Sequence, residues 1–135
     1  MKIIIGGVGQ VGWQIARHLA GEQNDVTVID SNPELVRRAT EALDVQGVTG
    51  FASHPDVLDK AGARDADLLI AATTSDETNL ISCMVGRKLG ATHTIARVRD
   101  EEYYQDVVLL QDELGLSLSI DPERTSAKEL SRSLR

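Results

Sequence analysis

The sequence predicts an α/β fold of the doubly wound class, with a six-stranded, mostly parallel sheet covered by helices on both faces. Short aliphatic segments rich in Val and Ile alternate along the chain with segments whose apolar residues recur at helical spacing. Proline and glycine residues stand between the two kinds of segment, where helices should begin and end. This alternation implies parallel strands joined by right-handed crossovers, because parallel neighbours need a helix-length connection.

The predicted strands are short, continuous aliphatic runs, which is typical of strands buried inside a sheet. They cover residues 3–5, 26–29, 45–49, 68–72, 94–98 and 116–120. Helical periodicity occupies the intervals between them. Val11, Ile15 and Leu19 predict the first helix, and the last long helix is expected to run from Glu101 to Leu114. The helices between these two are indicated at Leu35 and Ala39, after Pro55, and at Leu80, Met84 and Leu89.

Helix boundaries are predicted from proline, glycine and capping residues. The three prolines are expected at first helical positions, and they are Pro33, Pro55 and Pro122. Four glycines are expected in the left-handed conformation that ends a helix, and they are Gly21, Gly62, Gly90 and Gly115. Thr74 and Glu77, three residues apart before an apolar segment, have the spacing of a capping box.

Composition limits the classes of protein to which the chain can belong. Its 135 residues suit one domain, so residues 1–135 are expected to form a single unit. The net charge of -7 and the scarcity of aromatic residues argue against a nucleic-acid partner. Cys83 is the single cysteine, which favours a reducing compartment such as the cytoplasm. The apolar start at residues 1–5 is too short for a signal peptide or a membrane span.

The first strand leads into the segment GVGQVG at residues 7–12, inside which the first helix begins. Between a strand and an amphipathic helix, a GxGxxG pattern indicates the phosphate-binding turn of a Rossmann fold. Gly7 would permit the tight turn, Gly9 would let the backbone approach a pyrophosphate, and Gly12 would let the helix pack against the sheet. The amides at Gln10 and Val11 would face the anion. A merely flexible strand-to-helix turn is the alternative.

Asp30 ends the second strand eighteen residues after Gly12, close to the roughly 20 residues expected of the acid that binds ribose hydroxyls. The following Ser31 and Asn32 are neutral, so nothing at that point would neutralise a 2'-phosphate, and NADP is disfavoured. Asp30 has an alternative role as a cap of the next helix. Asn32, directly before Pro33, suits that role well.

Residues beyond the carboxyl ends of the other strands are further candidates, because ligands of doubly wound sheets bind there. Residues 50–53 after the third strand are predicted near a base, and residues 73–75 after the fourth near ribose or phosphates. Arg97 and Arg99 after the fifth strand have the reach to contact a phosphate or to pair with a carboxylate such as Asp100. Ordinary loop and cap chemistry explains Ser53 and Ser75 equally well.

A metal site is not indicated by the sequence. His18, His54 and His93 fall on a helix, a loop and a strand start, without the paired spacing of zinc ligands. The acid pairs at residues 76–77 and 101–102 stand at helix starts, where the helix dipole accounts for them.

Several segments together resemble the amino-terminal nucleotide-binding unit of TrkA-type proteins, the RCK (KTN) family that regulates potassium transporters and channels. They are MKIII, GVGQVG, VTVID, GFASHPDVLDKAGARDADLLIAATTSDETNLISC and TIARVRDEEY, and the resemblance extends over about the whole chain. It implies a non-catalytic subunit, on the cytoplasmic face of the cell membrane, that serves a membrane potassium transporter subunit. Such a subunit would bind NAD(H), or in some members ATP or ADP, and convert nucleotide occupancy into gating.

Carried over by position, the resemblance assigns phosphates to the three glycines of the turn, ribose to Asp30 and adenine to residues 51–53. Thr73, Thr74 and Glu77 would line the far side, and Arg97 would approach a phosphate. Many relatives carry Asp or Asn at the position of Phe51, so an apolar or stacking contact to adenine is expected in its place. The complete predicted site is Gly7, Gly9, Gln10, Val11, Gly12, Asp30, Ser31, Gly50, Phe51, Ala52, Ser53, Thr73, Thr74, Glu77 and Arg97.

Members of that family continue into a smaller carboxy-terminal module, so this chain is expected to be a fragment of a longer protein or a compact member that relies on partners. The alternative function is the cofactor domain of an NAD-dependent oxidoreductase. It ranks second because hydride transfer needs a substrate domain, and the sequence offers none after Arg135. A redox-sensing nucleic-acid binder ranks third, because it would need a basic patch that the net charge of -7 does not favour.

Two helices carry more apolar residues than one core contact requires. Trp13 stands about 200° from Val11 around the first helix and is expected to point outward. Tyr104 and Val108 form a second stripe on the helix at residues 101–114. Since units of the resembled family pair and build rings, a homo-oligomer that uses these helices is expected. The alternatives are a Trp that lies flat on its own surface and a helix buried in a broad groove.

Overall fold

The computed structural model describes residues 1–21 and 23–116 and the backbone of residues 118–120. Six strands form one sheet: β1 (Lys2–Gly6), β2 (Asp25–Asp30), β3 (Gln46–Thr49), β4 (Leu68–Ala71), β5 (His93–Arg97) and β6 (Leu118–Ile120). Their order is β3-β2-β1-β4-β5-β6, and every neighbouring pair is parallel. This is the doubly wound order of the Rossmann fold, so the predicted fold class is confirmed.

Five α-helices connect the strands: α1 (Gln10–Ala20), α2 (Pro33–Ala42), α3 (Pro55–Lys60), α4 (Asp76–Leu89) and α5 (Glu101–Leu109). Alternate residues of β1 face opposite sides of the sheet, as the pleat requires. Ile3 and Ile5 pack in a cluster with residues of α1, whereas Ile4 packs in a second cluster with residues of α3 and α4. Helices therefore cover both faces, and the ends of the central strands converge at one edge.

The structure corrects the predicted ends of several elements. β3 was expected to be buried, but its side chains are mostly exposed because it is an edge strand paired with β2 alone. The helix expected to reach Leu114 ends at Leu109, where Leu110 N–H donates back to Asp106 O at 3.1 Å and the chain turns. β6 begins at Leu118 instead of Leu116, which is buried in the preceding loop.

Most of the predicted helix boundaries are confirmed. Pro33 and Pro55 are the first residues of α2 and α3, and Pro122 lies outside the described residues. Gly62 and Gly90 have positive φ just after α3 and α4, as predicted. Gly115 also has positive φ, but it does not end a helix, because α5 ends at Leu109. Gly21 was predicted wrongly, because its φ is -85° and its N–H donates to Leu19 O, so a left-handed residue is not needed there.

Two further side chains depart from their predicted roles. The capping box was assigned to Thr74 and Glu77, but α4 begins one residue later, and the Ser75 hydroxyl accepts the Thr78 N–H at 3.2 Å.

Trp13 does not point outward. It is half-buried against the core cluster of α1, and the Arg38 guanidinium lies 5.0 Å from its ring centroid. The alternative of a Trp that lies on its own surface is the one the structure shows.

Cys83 provides a test of the packing beneath α4. Its thiol is completely buried among apolar residues, and burial raises its pKa to about 12. Because the thiolate is the reactive form, we expect no reaction of the native protein with a disulfide reagent at about pH 8 and rapid reaction after unfolding in guanidinium. Equal rates in the two conditions would show that the thiol is not buried between α4 and the sheet.

Candidate functional site

A cleft of about 510 Å³ lies at the carboxyl ends of β1, β2, β4 and β5. Sequence reasoning predicted this edge of the sheet, and most of the predicted residues line the cleft. They are Gly7, Gly9, Gln10, Val11, Asp30, Ser31, Gly50, Phe51, Ala52, Thr73, Thr74 and Arg97. Ser75 and Arg99, which were weighed as candidates, line it as well.

The glycine turn at residues 7–12 brings α1 close to the end of β1. Gly7 has a φ of +98° and donates its N–H to Ile29 O at 2.7 Å, and a Cβ there would lie 2.9 Å from Thr73 N. A Cβ on Gly12 would collide with the carbonyl oxygen of Gly7. At Gly9, in contrast, a Cβ would meet nothing within 4 Å, and this exposed glycine faces the cleft. Gly7 and Gly12 are therefore required by packing, whereas the space above Gly9 is open to a ligand.

The N-terminus of α1 is electrostatically different from that of the other described helices. Gly9 caps it without a side chain, and its first turn contains no acidic residue. α2, α4 and α5 are capped by the side chains of Asn32, Ser75 and Asp100. All four other helices carry an acid in the first turn. The positive end of the α1 dipole is thus left without an acid of its own at the cleft, which suits an anionic ligand.

Asp30 joins the glycine turn to the start of α2. Its Oδ2 accepts the Val8 N–H and its Oδ1 accepts the Asn32 N–H, both at 2.9 Å. The Asn32 side chain accepts the Glu34 N–H and caps α2, as the sequence predicted. Each carboxylate oxygen of Asp30 keeps a lone pair for a further donor, so the side chain can hold the turn and still accept a ribose hydroxyl.

The far side of the cleft is cationic. Arg97 lies at the end of β5, is only 9% exposed, and donates from Nη1 to Thr73 O at 3.1 Å. Its buried Nε has no acceptor among the described residues. Burial, and then the neighbouring charge of Arg99, lower the pKa of the Arg97 guanidinium. A bound anion would relieve the repulsion and provide an acceptor, so these residues fit a phosphate group.

The opposite end of the cleft is apolar and aromatic. Phe51 is 59% exposed, although it lines the cleft, and its ring centroid lies 5.3 Å from that of His54. The apolar residues Ile29 and Leu35 also line the cleft. A large exposed aromatic side chain beside a cleft suits a planar ligand that stacks on it.

Three of the predicted residues are not brought to the cleft. Gly12 is buried against the glycine turn, Ser53 lies outside the cleft lining, and Glu77 is exposed on α4 with its carboxylate 3.5 Å from the Ser75 hydroxyl. Ile29, Leu35, Ala72 and Thr78 line it and were not predicted. Their positions at strand ends and in first helical turns were the only available signal, since their side chains carry no distinctive chemistry.

The described part of the chain contains neither a cluster of metal ligands nor a membrane-spanning helix. No group of three or more His, Cys, Asp or Glu side chains lies close enough to hold a metal ion. No described helix has the length and apolar character needed to span a membrane.

The model of the TrkA-N domain matches residues 3–122 of this sequence. The chain belongs to the TrkA-N domain family. It is 46% identical over 127 residues to the Trk system potassium uptake protein TrkA of Azorhizobium caulinodans, covering 91% of this chain and 28% of that protein. It is 50% identical over 104 residues to the protein of that name from Vibrio alginolyticus, covering 76% of this chain and 23% of the relative. The chain therefore spans less than a third of the length of these relatives.

Solved structures share the fold. The TrkA-N domain of inner membrane protein ybaL from Escherichia coli has a TM-score of 0.78 at 22% identity, with 98% of this chain and 92% of that chain covered. The GsuK channel bound to NAD has a TM-score of 0.72 at 23% identity over 87% of this chain and 21% of the channel chain. GsuK bound to ADP gives the same score and identity, over 88% of this chain and 30% of that one.

Two glycine substitutions separate the packing role of the turn from its open side. Gly12→Ala would force a Cβ into the Gly7 carbonyl and should lower the free energy of unfolding by ~1 to 3 kcal/mol or more. Gly9→Ala meets open space at a φ of -74°, so its effect should stay below ~1 kcal/mol. Urea denaturation followed by circular dichroism measures both, and equal losses in the two variants would contradict the described turn.

Proposed function

We propose that this chain is the nucleotide-binding domain of a cytoplasmic regulatory subunit of a potassium uptake system. In this proposal the cleft binds NAD(H) or an adenine nucleotide such as ADP or ATP, and its occupancy controls the gating of a membrane potassium transporter subunit. The observation that carries the proposal is the acid-free N-terminus of α1, which faces a cleft with a carboxylate at one side and two arginines at the other.

The relatives support the part of the proposal that concerns potassium. Both TrkA proteins described above are named for potassium uptake, and each matches this chain along most of its length. Because the chain spans less than a third of either relative, we propose that it acts as one domain of a larger assembly at the inner face of the membrane. We expect the remaining parts of that assembly to contact the transporter.

The chemistry of the cleft supports an adenine nucleotide without a 2'-phosphate. Asp30 is placed to accept hydrogen bonds from a ribose diol, and the glycine turn and Arg97 offer donors to phosphates. The GsuK structures with NAD and with ADP show that a protein of this fold takes both kinds of ligand. The Asp30 carboxylate would repel a 2'-phosphate on the ribose that it binds. The neighbouring Ser31 and Asn32 carry no positive charge that could offset this repulsion.

A regulatory role is favoured over the oxidoreductase alternative by the residues that line the cleft. Catalytic proton transfer and nucleophilic attack are commonly carried out by His, Lys or Cys side chains, and none of the described lining residues is of these types. The fold of the nucleotide-binding unit is shared by both kinds of protein, so the lining is what distinguishes them.

We further propose that the domain assembles with copies of itself through exposed apolar residues on α4 and α5. Ile81 and Met84 on α4 are 48% and 42% exposed, and Val108 and Leu109 on α5 are 46% and 80% exposed. We call these four residues the α4/α5 surface. Since Trp13 is half-buried against the core and beside Arg38, this surface replaces α1 as the predicted contact. Nucleic acid is not proposed as a partner.

Removal of the Asp30 carboxylate tests the proposed ligand. In Asp30→Ala, the affinity for ADP and NADH should fall by ~1.5 to 3 kcal/mol, about ten- to a hundredfold, as measured by calorimetry. Asp67→Ala is the matched control, because Asp67 also accepts a backbone N–H, from Lys2 at 2.7 Å, but lies outside the cleft lining. Wild-type protein should bind NADPH the least, and a preference for NADPH would overturn the assignment of Asp30.

The proposed contact between copies is tested by charge substitution on the α4/α5 surface. The double variant Ile81→Glu, Leu109→Glu should reduce the mass measured by light scattering to that of a monomer, because the apolar contact would be lost. Gln14→Glu, on the exposed side of α1, adds a charge elsewhere and should leave the mass unchanged. A wild-type protein that is strictly monomeric at high micromolar concentration would reject the contact.

A further inference from the structure

The buried side-chain amide of Asn79 joins two strand ends on the far side of the cleft. Its Oδ1 accepts the Thr73 N–H at 2.9 Å and the Thr73 hydroxyl at 2.6 Å. Its Nδ2 donates to Thr73 O at 3.1 Å and to Arg97 O at 2.9 Å. An amide side chain can make four such bonds, so the hydrogen-bonding capacity of Asn79 is fully used inside the protein.

Asn79 itself does not reach the cleft, since its side chain has no exposed surface and it is not part of the lining. Thr73 and Arg97, the residues it holds, both line the cleft. Thr73 O accepts from Asn79 and also from Arg97 Nη1 at 3.1 Å. The position of the Arg97 guanidinium therefore depends on the same carbonyl that Asn79 fixes, and a loss of the amide would release both residues.

The order of the strands determines which part of a ligand would meet these residues. Asp30 ends β2, the glycine turn follows β1, and Thr73 and Arg97 follow β4 and β5. A nucleotide with its ribose at Asp30 and its first phosphate at the glycine turn reaches Thr73 and Arg97 only with groups beyond that phosphate. AMP would end near the turn, whereas ADP and NAD would extend past it.

We propose that Asn79 is a positioning residue that holds Thr73 and Arg97 ready for the part of the nucleotide beyond the first phosphate. This inference rests on the proposed function. A buried network in which every donor and acceptor is satisfied fixes one arrangement of its members, and ordering before binding reduces the entropy lost on binding. Asn79 then determines how strongly the cleft distinguishes ADP and NAD from AMP.

The test is a calorimetric comparison of AMP, ADP and NAD binding to wild-type protein and Asn79→Ala. ADP and NAD should lose tenfold or more in affinity, whereas AMP should lose less than threefold, so that the ratio of ADP to AMP affinity collapses. Ser82→Ala is the matched control, because Ser82 is also fully buried in α4 and donates to Thr78 O at 2.6 Å. This control should lower stability and leave the ratio unchanged.

Each outcome decides the inference. An unchanged ratio in Asn79→Ala, or an equal loss for all three ligands, would overturn it while leaving nucleotide binding in place. If wild-type protein binds none of the three, the proposed function fails and the inference fails with it. If Asn79→Ala does not fold, the comparison is decided by Asn79→Asp. That variant keeps the size of the side chain and an acceptor for Thr73 N–H, but it loses the donors to Thr73 O and Arg97 O. It should therefore show the same loss of discrimination.

Discussion

The close contact between α1 and the end of β1 is the constraint on which the rest of the site depends. No Cβ fits between Gly12 and the carbonyl of Gly7, so the first turn of the helix lies directly against the strand end. This contact directs the N-terminus of α1 into the cleft and leaves Gly9 exposed there. The Asp30 carboxylate then fixes the same turn from the side of β2, through its bond with Val8 N–H.

The charges around the cleft follow from this arrangement. The other described helices satisfy their first turns with acids or polar caps from the chain itself, so their dipoles are partly neutralised. α1 has neither, and Arg97 on the far side keeps a buried Nε without an acceptor. Both features leave positive potential in one cleft, which a phosphate-containing ligand would neutralise.

The fold and most of the cleft lining could be predicted because local sequence patterns there dictate structure. Pro33 and Pro55 begin helices through their fixed φ, and GVGQVG between a strand and a helix specifies the turn. The edge position of β3 could not be predicted in this way, because only the order of the strands in the sheet makes it an edge. The environment of Trp13 was predicted wrongly for a similar reason. Helical spacing gives the direction of its side chain around α1, but it does not show that Arg38 of α2 lies against the ring.

Asn79 shows a further limit of sequence reasoning. It stands in the first part of a helix where its side chain has no local role, and its partners are six and eighteen residues away in sequence. Only the tertiary structure brings Thr73 and Arg97 to the two sides of its amide. Residues that position others through buried hydrogen bonds therefore leave little trace in local sequence, even where the site itself has a recognisable pattern.

The crystal structure of the protein with ADP tests the central claim most directly. The account predicts that the ribose hydroxyls lie within hydrogen-bonding distance of Asp30 and that phosphate oxygens accept from the backbone amides at the N-terminus of α1. An ADP molecule bound elsewhere on the surface, or bound in the cleft with its phosphates away from α1, would contradict the account.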